Sequence, residues 1–86
     1  MKSVLVYSTR ICPYCVMAKR LLAAKGVQYE EVLVDVDCER RGEMLQRSNG
    51  RRTVPQIFVG DTHVGGYDDL AALDRAGRLD PLLQEP

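Results

Sequence analysis

A chain of 86 residues buries only about 60% of the surface its unfolded form exposes, so one modest core and one domain spanning 1–86 are expected. Twelve Lys plus Arg balance twelve Asp plus Glu, which argues against a nucleic-acid or membrane-surface partner. Three cysteines make a poor disulfide framework, and the apolar run before Ser8 is too short for a signal-peptide core or a membrane span, so a cytoplasmic setting is expected.

"SVLVYS" alternates and is rich in β-branched and aromatic residues, and it predicts a first strand ending near Ser8. After the loop "TRIC", a helix is expected from Pro13 to Lys25. Met17, Leu21 and Ala24 share one face, with Ala18 and Leu22 beside it, and Lys19 and Arg20 face elsewhere. Gly26 sits where a helix stops. "VQYEEVLVDVD" contains a second strand, and "CERRGEMLQRSNG" a second helix that offers Met44 and Leu45 to the core and is weakened by Gly42. "TVPQIFVG" predicts a third strand entered through Pro55, with Phe58 inside. "GDT" follows as a tight turn, "HVGG" as a short fourth strand, "YDDLAALDRAG" as a third helix and "RLDPLLQEP" as a last helical turn. The order β-α-β-α-β-β-α fits an α/β fold with a four-stranded mixed sheet flanked by helices. A right-handed crossover makes the first two strands parallel, and a hairpin joins the last two.

Cys12 and Cys15 stand where the first strand gives way to the first helix, and one C-x-x-C beside a βαβ pattern reads as redox chemistry. With Cys12 as N-cap and Pro13 as the first helical residue, the free amides of Tyr14 and Cys15 point toward the Cys12 sulfur. A thiolate there gains from those donors and from the helix dipole, so Cys12 is expected to titrate within the ~3.5 to 7.5 band of activated thiols. Lowering a thiol pKa from about 8.5 to about 6 raises its thiolate fraction roughly 30-fold, while the Brønsted slope takes back roughly 10- to 18-fold in nucleophilicity. Attack therefore gains a few-fold, and the larger benefit is that Cys12 leaves readily when another thiolate attacks the substrate sulfur of its mixed disulfide. Cys15, one turn further in, is the expected resolving thiol. A structural zinc site needs four ligands, and only Cys38 and His63 remain to supply them, so no metal is expected.

"CPYC" after a first strand, "TVPQIFV" and "GGYDDL", in this order, resemble a glutaredoxin of the small bacterial dithiol type, across nearly the whole chain. The resemblance implies a thioredoxin-like fold and a glutathione-dependent thiol-disulfide oxidoreductase. It implies no bound cofactor, with glutathione as cosubstrate. Cys12 is then the nucleophile that takes up glutathione, Cys15 closes the internal disulfide, and Tyr14 flanks the sulfur. Thr53, Val54 and Pro55 resemble the family's cis-proline turn, with the Val54 backbone free to pair with the cysteinyl part of glutathione. From sequence alone the bond would be assigned trans, since only about 5 to 6% of X-Pro bonds are cis. Gly66, Tyr67 and Asp68 would offer helix-start amides to the γ-glutamyl carboxylate. Of Asp68 and Asp69, one would pair the γ-glutamyl ammonium, with Asp69 preferred, and one would cap the helix.

The family usually places a lysine three residues before the first cysteine, where this chain has Thr9. The cation for glutathione's glycyl carboxylate must then come from Arg10, or from Arg51 or Arg52 in the loop before Thr53. Expected partners are glutathione and disulfide-bearing or glutathionylated proteins, with a ribonucleotide reductase left open among them, and a monomer is expected. Two alternatives stand beside this reading: a redoxin reduced by thioredoxin reductase, and a glutathione-ligated iron-sulfur carrier, which Pro13 and Tyr14 make less accommodating. Cys38 and His63 are assigned no chemistry.

Overall fold

The computed structural model describes residues 2–84. Strands β1 (Val4–Ser8), β2 (Glu30–Leu33), β3 (Gln56–Val59) and β4 (Thr62–Gly65) and helices α1 (Pro13–Ala24), α2 (Cys38–Arg47), α3 (Tyr67–Arg75) and α4 (Leu79–Gln84) follow in the order β1-α1-β2-α2-β3-β4-α3-α4. The sheet order is β2-β1-β3-β4, with β1 parallel to β2 and antiparallel to β3, and β3 antiparallel to β4. This is the expected mixed sheet. The expected last helical turn is α4, and the final two residues of its predicted segment lie outside the described residues.

The two-residue period of the strands sorts side chains between the faces of the sheet. Val4, Val6, Ile57 and Val59 go to the face covered by α1, α3 and α4, where they meet Leu22, Leu70 and Leu79. Tyr7 and Phe58 go to the other face with Val32, Val34 and Met44. Both faces are therefore covered, which explains why β1 and β3 are nearly continuous apolar runs.

Helix α1 turns a different face inward from the one its periodicity favours. Cys15, Ala18 and Leu22 are buried, Leu21 is half-buried, Ala24 is exposed, and Met17, expected in the core, is 42% exposed. The helix carries apolar residues almost all round, so local spacing admits both stripes. Docking on the sheet and beside α3 selects the one with Ala18, whose small side chain allows close approach.

Helix α2 contributes only Met44 as a fully buried side chain, and polar contacts complete its docking. The buried Tyr7 hydroxyl donates to the Glu43 carboxylate and accepts from Arg47 Nη1 at 3.2 Å, while the Arg47 guanidinium lies 4.3 Å over the Phe58 ring. Burial, and next the Glu43 carboxylate, push the Tyr7 phenol above its ordinary range.

Beneath α1, Lys19 Nζ lies 2.7 Å from Glu31 Oε2, and the buried Ser8 hydroxyl donates to the same oxygen at 2.6 Å. Lys19 first, and Ser8 second, hold the Glu31 carboxyl below the usual glutamate range. Because its folded pKa lies below its unfolded one, the stability it supplies is present above the unfolded value and is lost as pH falls through the folded value. Glu31→Gln is expected to cost about 1 kcal/mol at neutral pH. The difference from wild type should shrink toward zero below the carboxyl range, as urea midpoints taken across that range would show. A pH-independent difference would assign the loss to packing.

Candidate active site

The site is built where β1 ends and α1 begins. Cys12 has extended backbone angles, φ −154° and ψ 99°, and is the N-cap of α1, followed by Pro13 in the first turn. This is the geometry expected from the local sequence. Of the two amides expected to face the sulfur, Cys15 N–H makes the bond, donating to Cys12 Sγ at 3.1 Å. The two sulfurs are joined as a disulfide, with Cα atoms 5.2 Å apart. Cys15 is 1% exposed, whereas Cys12 is half-buried and so reachable from outside. Once the disulfide is reduced, the same N–H donor and helix end face a thiolate at Cys12, which they favour over the thiol.

The loop before β3 forms the opposite wall. The Val54-Pro55 peptide is cis, and the Val54 carbonyl oxygen lies 3.9 Å from Cys12 Sγ. The start of α3 supplies the third wall, with Tyr67 stacked against Tyr14 at 6.3 Å between ring centroids and 30° between planes. Between the walls runs a groove of about 290 Å³ lined by Tyr14, Arg51, Thr53, Val54, Pro55, Gly66, Tyr67, Asp68 and Asp69. A larger hollow of about 800 Å³ between β4, α3 and α4 shares only Asp69 with this groove and reaches neither Tyr14 nor the cis-proline loop.

Nine of the residues singled out for glutathione in the sequence, Arg51 among them, thus share one groove, and two do not. Arg10 is held away by Asp35, whose Oδ2 accepts from its Nε at 3.0 Å and its backbone N–H at 3.2 Å. Arg10 in turn keeps the Asp35 carboxyl below the usual range. Arg52 is exposed and does not line the groove; Arg51, one residue earlier, does. Adjacent arginines look alike in sequence, and only the course of the loop separates them.

The two aspartates also divide their work. Asp69 Oδ2 accepts from Gly66 N–H at 3.0 Å, making it the reciprocal cap of α3, and lies 3.5 Å from Arg51 Nη1. Asp68 is exposed on the same groove. The sequence preference for Asp69 as the ammonium partner therefore meets a carboxylate already engaged twice. Gly65 lets this arrangement close up: its φ is +115°, and a Cβ there would stand 2.3 Å from Asp69 Oδ2 and 2.9 Å from Arg51 Nη1.

Sequence reasoning passed over Ile11, and it assigned His63 and Cys38 no chemistry. Ile11, beside Cys12, is 92% exposed, so an apolar side chain stands at the mouth of the site. His63 has a partner after all, Gln56, 2.7 Å from its Nε2. Burial first, and then the Arg51 charge, pull the imidazole below its ordinary pKa and favour the neutral ring. Cys38 is a free, exposed thiol at the start of α2, away from the groove lining.

A glutaredoxin family model matches residues 4–64. The chain is 55% identical over 83 residues to a glutaredoxin of Pseudomonas aeruginosa, covering 96% of this chain and 98% of that one. Among solved structures, a glutaredoxin of Brucella melitensis superposes with a TM-score of 0.85 at 51% identity, over 98% of this chain and 90% of that one. A buckwheat glutaredoxin-glutathione complex superposes with a TM-score of 0.85 at 33% identity, over 95% of this chain and 76% of that one.

Proposed function

The chain belongs to the glutaredoxin family and is a thiol-disulfide oxidoreductase; from that premise we propose that it takes its electrons from glutathione and passes them to protein disulfides and protein-glutathione mixed disulfides. The observation that carries this reading is the groove beside Cys12. Glutathione is a tripeptide with two carboxylates and an ammonium. The groove offers a cation in Arg51, an exposed carboxylate in Asp68, the amides at the start of α3 and the Val54 backbone 3.9 Å from the Cys12 sulfur. The buckwheat relative, solved with glutathione, supports the same assignment.

In the proposed cycle the Cys12 thiolate attacks one sulfur of a protein disulfide, forming a mixed disulfide and releasing the other sulfur as a thiol. Cys15 then attacks the Cys12 sulfur, the second protein thiol leaves, and the pair closes as the Cys12–Cys15 disulfide seen here. One glutathione thiolate opens that bond at Cys12. A second takes the first glutathione away as glutathione disulfide, so two electrons enter and two leave. With a protein-glutathione mixed disulfide, Cys12 attacks the glutathione sulfur, the protein thiol leaves at once, and a single further glutathione closes the cycle. Ile11 at the mouth gives a protein substrate an apolar surface to rest on beside the sulfur. The cycle requires a compartment that keeps glutathione reduced.

The reading is tested by turnover of a glutathionylated disulfide with glutathione, glutathione reductase and NADPH, set beside thioredoxin reductase with NADPH. Activity with glutathione is expected, and Arg51→Gln should raise the KM for glutathione about five- to tenfold with little change in kcat, as loss of one charge-assisted contact predicts. Turnover with thioredoxin reductase alone would overturn the choice of reductant. An unchanged KM in Arg51→Gln would remove Arg51 from the binding site.

A further inference from the structure

Gln56 is a buried amide in a place where an apolar residue would pack. It opens β3 directly after Pro55 and is 0% exposed. Burying an amide is unfavourable unless its hydrogen bonds are remade. Here they are remade in a fixed direction.

The Thr53 carbonyl oxygen can only accept, so the Gln56 atom 2.9 Å from it is Nε2, the donor. The same nitrogen lies 3.2 Å from Thr53 Oγ1. That settles which way the amide faces: Oε1 points at the His63 ring, 2.7 Å from its Nε2. An amide oxygen can only accept as well, so His63 Nε2 carries a proton. The ring itself is held by stacking on Phe58, 4.7 Å between centroids and 21° between planes, and Phe58 belongs to the core. At the other end of the chain of bonds, a Thr53 hydroxyl that accepts from Gln56 keeps its own proton to donate. Thr53 is exposed and lines the groove beside Cys12.

We infer that His63 and Gln56 are positioning residues for the site: they orient Thr53 so that its hydroxyl offers a donor to an acceptor oxygen, carbonyl or carboxylate, of the thiol peptide in the groove, and they hold the Val54 backbone at its station beside Cys12. Neither residue touches the reacting sulfurs. The inference deepens the glutathione reading and rests on it for the identity of the peptide, whereas the orientation of the relay stands on the hydrogen bonds alone.

The experiment compares wild type with Gln56→Leu, Thr53→Val, His63→Leu and His63→Gln. It measures KM and kcat for glutathione, and the rate at which iodoacetamide alkylates Cys12 in the reduced protein. Loss of one neutral hydrogen bond in a binding site predicts about a tenfold rise in KM for Gln56→Leu and about three- to tenfold for Thr53→Val, with kcat and the alkylation rate within about twofold of wild type. His63→Leu should raise KM in the same way. His63→Gln, which again presents an N–H to Gln56 Oε1, should bring it back toward wild type.

An unchanged KM in both Gln56→Leu and Thr53→Val would overturn the inference. So would a loss of alkylation rate in step with turnover, which would place the effect on the thiol. If Gln56→Leu does not fold, Thr53→Val and the two His63 variants decide the question, since both positions reach the surface. The nitrogen-15 resonances of His63 in wild type provide a readout independent of any reductant. They should show the proton on Nε2, and a neutral ring protonated on Nδ1 would overturn the relay. A wild type that glutathione does not turn over, with the proton on Nε2, would sink the choice of glutathione while leaving the relay standing.

Discussion

Cys12→Ser is expected to abolish turnover of every disulfide substrate, by more than about three orders of magnitude, whereas Cys15→Ser should keep deglutathionylation and lose the reduction of protein disulfides. The asymmetry follows from where the two sulfurs sit. Cys12 caps α1, receives the Cys15 N–H at 3.1 Å and is only half-buried, so it can meet a substrate sulfur and carry thiolate charge. Cys15 is 1% exposed and can attack only the neighbouring Cys12 sulfur, once that sulfur is tied to a substrate. A serine oxygen at position 12 has neither the acidity nor the redox chemistry of sulfur. At position 15 it removes only the step that resolves a protein-linked intermediate, and a glutathione-linked one is released by a second glutathione. Steady-state rates of the two variants on a glutathionylated peptide and on a protein disulfide separate the roles. Loss of both activities in Cys15→Ser would mean that the two cysteines do not divide the work in this way.

Gly65→Ala is expected to lower both stability and glutathione affinity, although it adds a single methyl group. The φ of +115° lies in a region that side chains rarely adopt, and holding it is worth roughly 1–3 kcal/mol of strain. The new Cβ would also meet Asp69 Oδ2 at 2.3 Å and Arg51 Nη1 at 2.9 Å. Asp69 must then give up its bond to Gly66 N–H, a cap worth about 1 kcal/mol. Together these come to about 2–4 kcal/mol, a fall in Tm of roughly 10 to 25 °C for a domain of this size. A thermal melt measures the first effect and the KM for glutathione the second. A Tm within a few degrees of wild type would show that the turn after β4 relaxes around the methyl group. A large fall in Tm with an unchanged KM would take the Arg51–Asp69 pair out of ligand binding.

Much of this molecule could be read locally. The short β-branched and aromatic runs in "SVLVYS" and "QIFV" mark strands because such side chains pack well on a pleated sheet, and Gly26, at φ +72°, ends α1 because glycine tolerates that conformation. The capping of α1 by Cys12 was equally legible, since the cap, the proline and the first free amide lie within four residues of one another. Met17 shows where local reasoning stops: α1 is apolar nearly all round, and which stripe turns inward depends on the sheet and α3. Val54-Pro55 was legible only through the family resemblance, because nothing in the dipeptide itself demands a cis bond.

The sequence by itself therefore determined the order of elements, the start of α1 and the place of the reactive sulfur, all consequences of interactions between residues a few positions apart. The tertiary structure decided which arginine lines the groove, which aspartate caps α3, and that Gln56 and His63 meet over Thr53. Those choices depend on contacts such as Arg51 with Asp69, 3.5 Å apart in space but on separate segments of the chain. Neither local propensity nor periodicity registers such contacts, because they form only once the sheet has brought the two segments together.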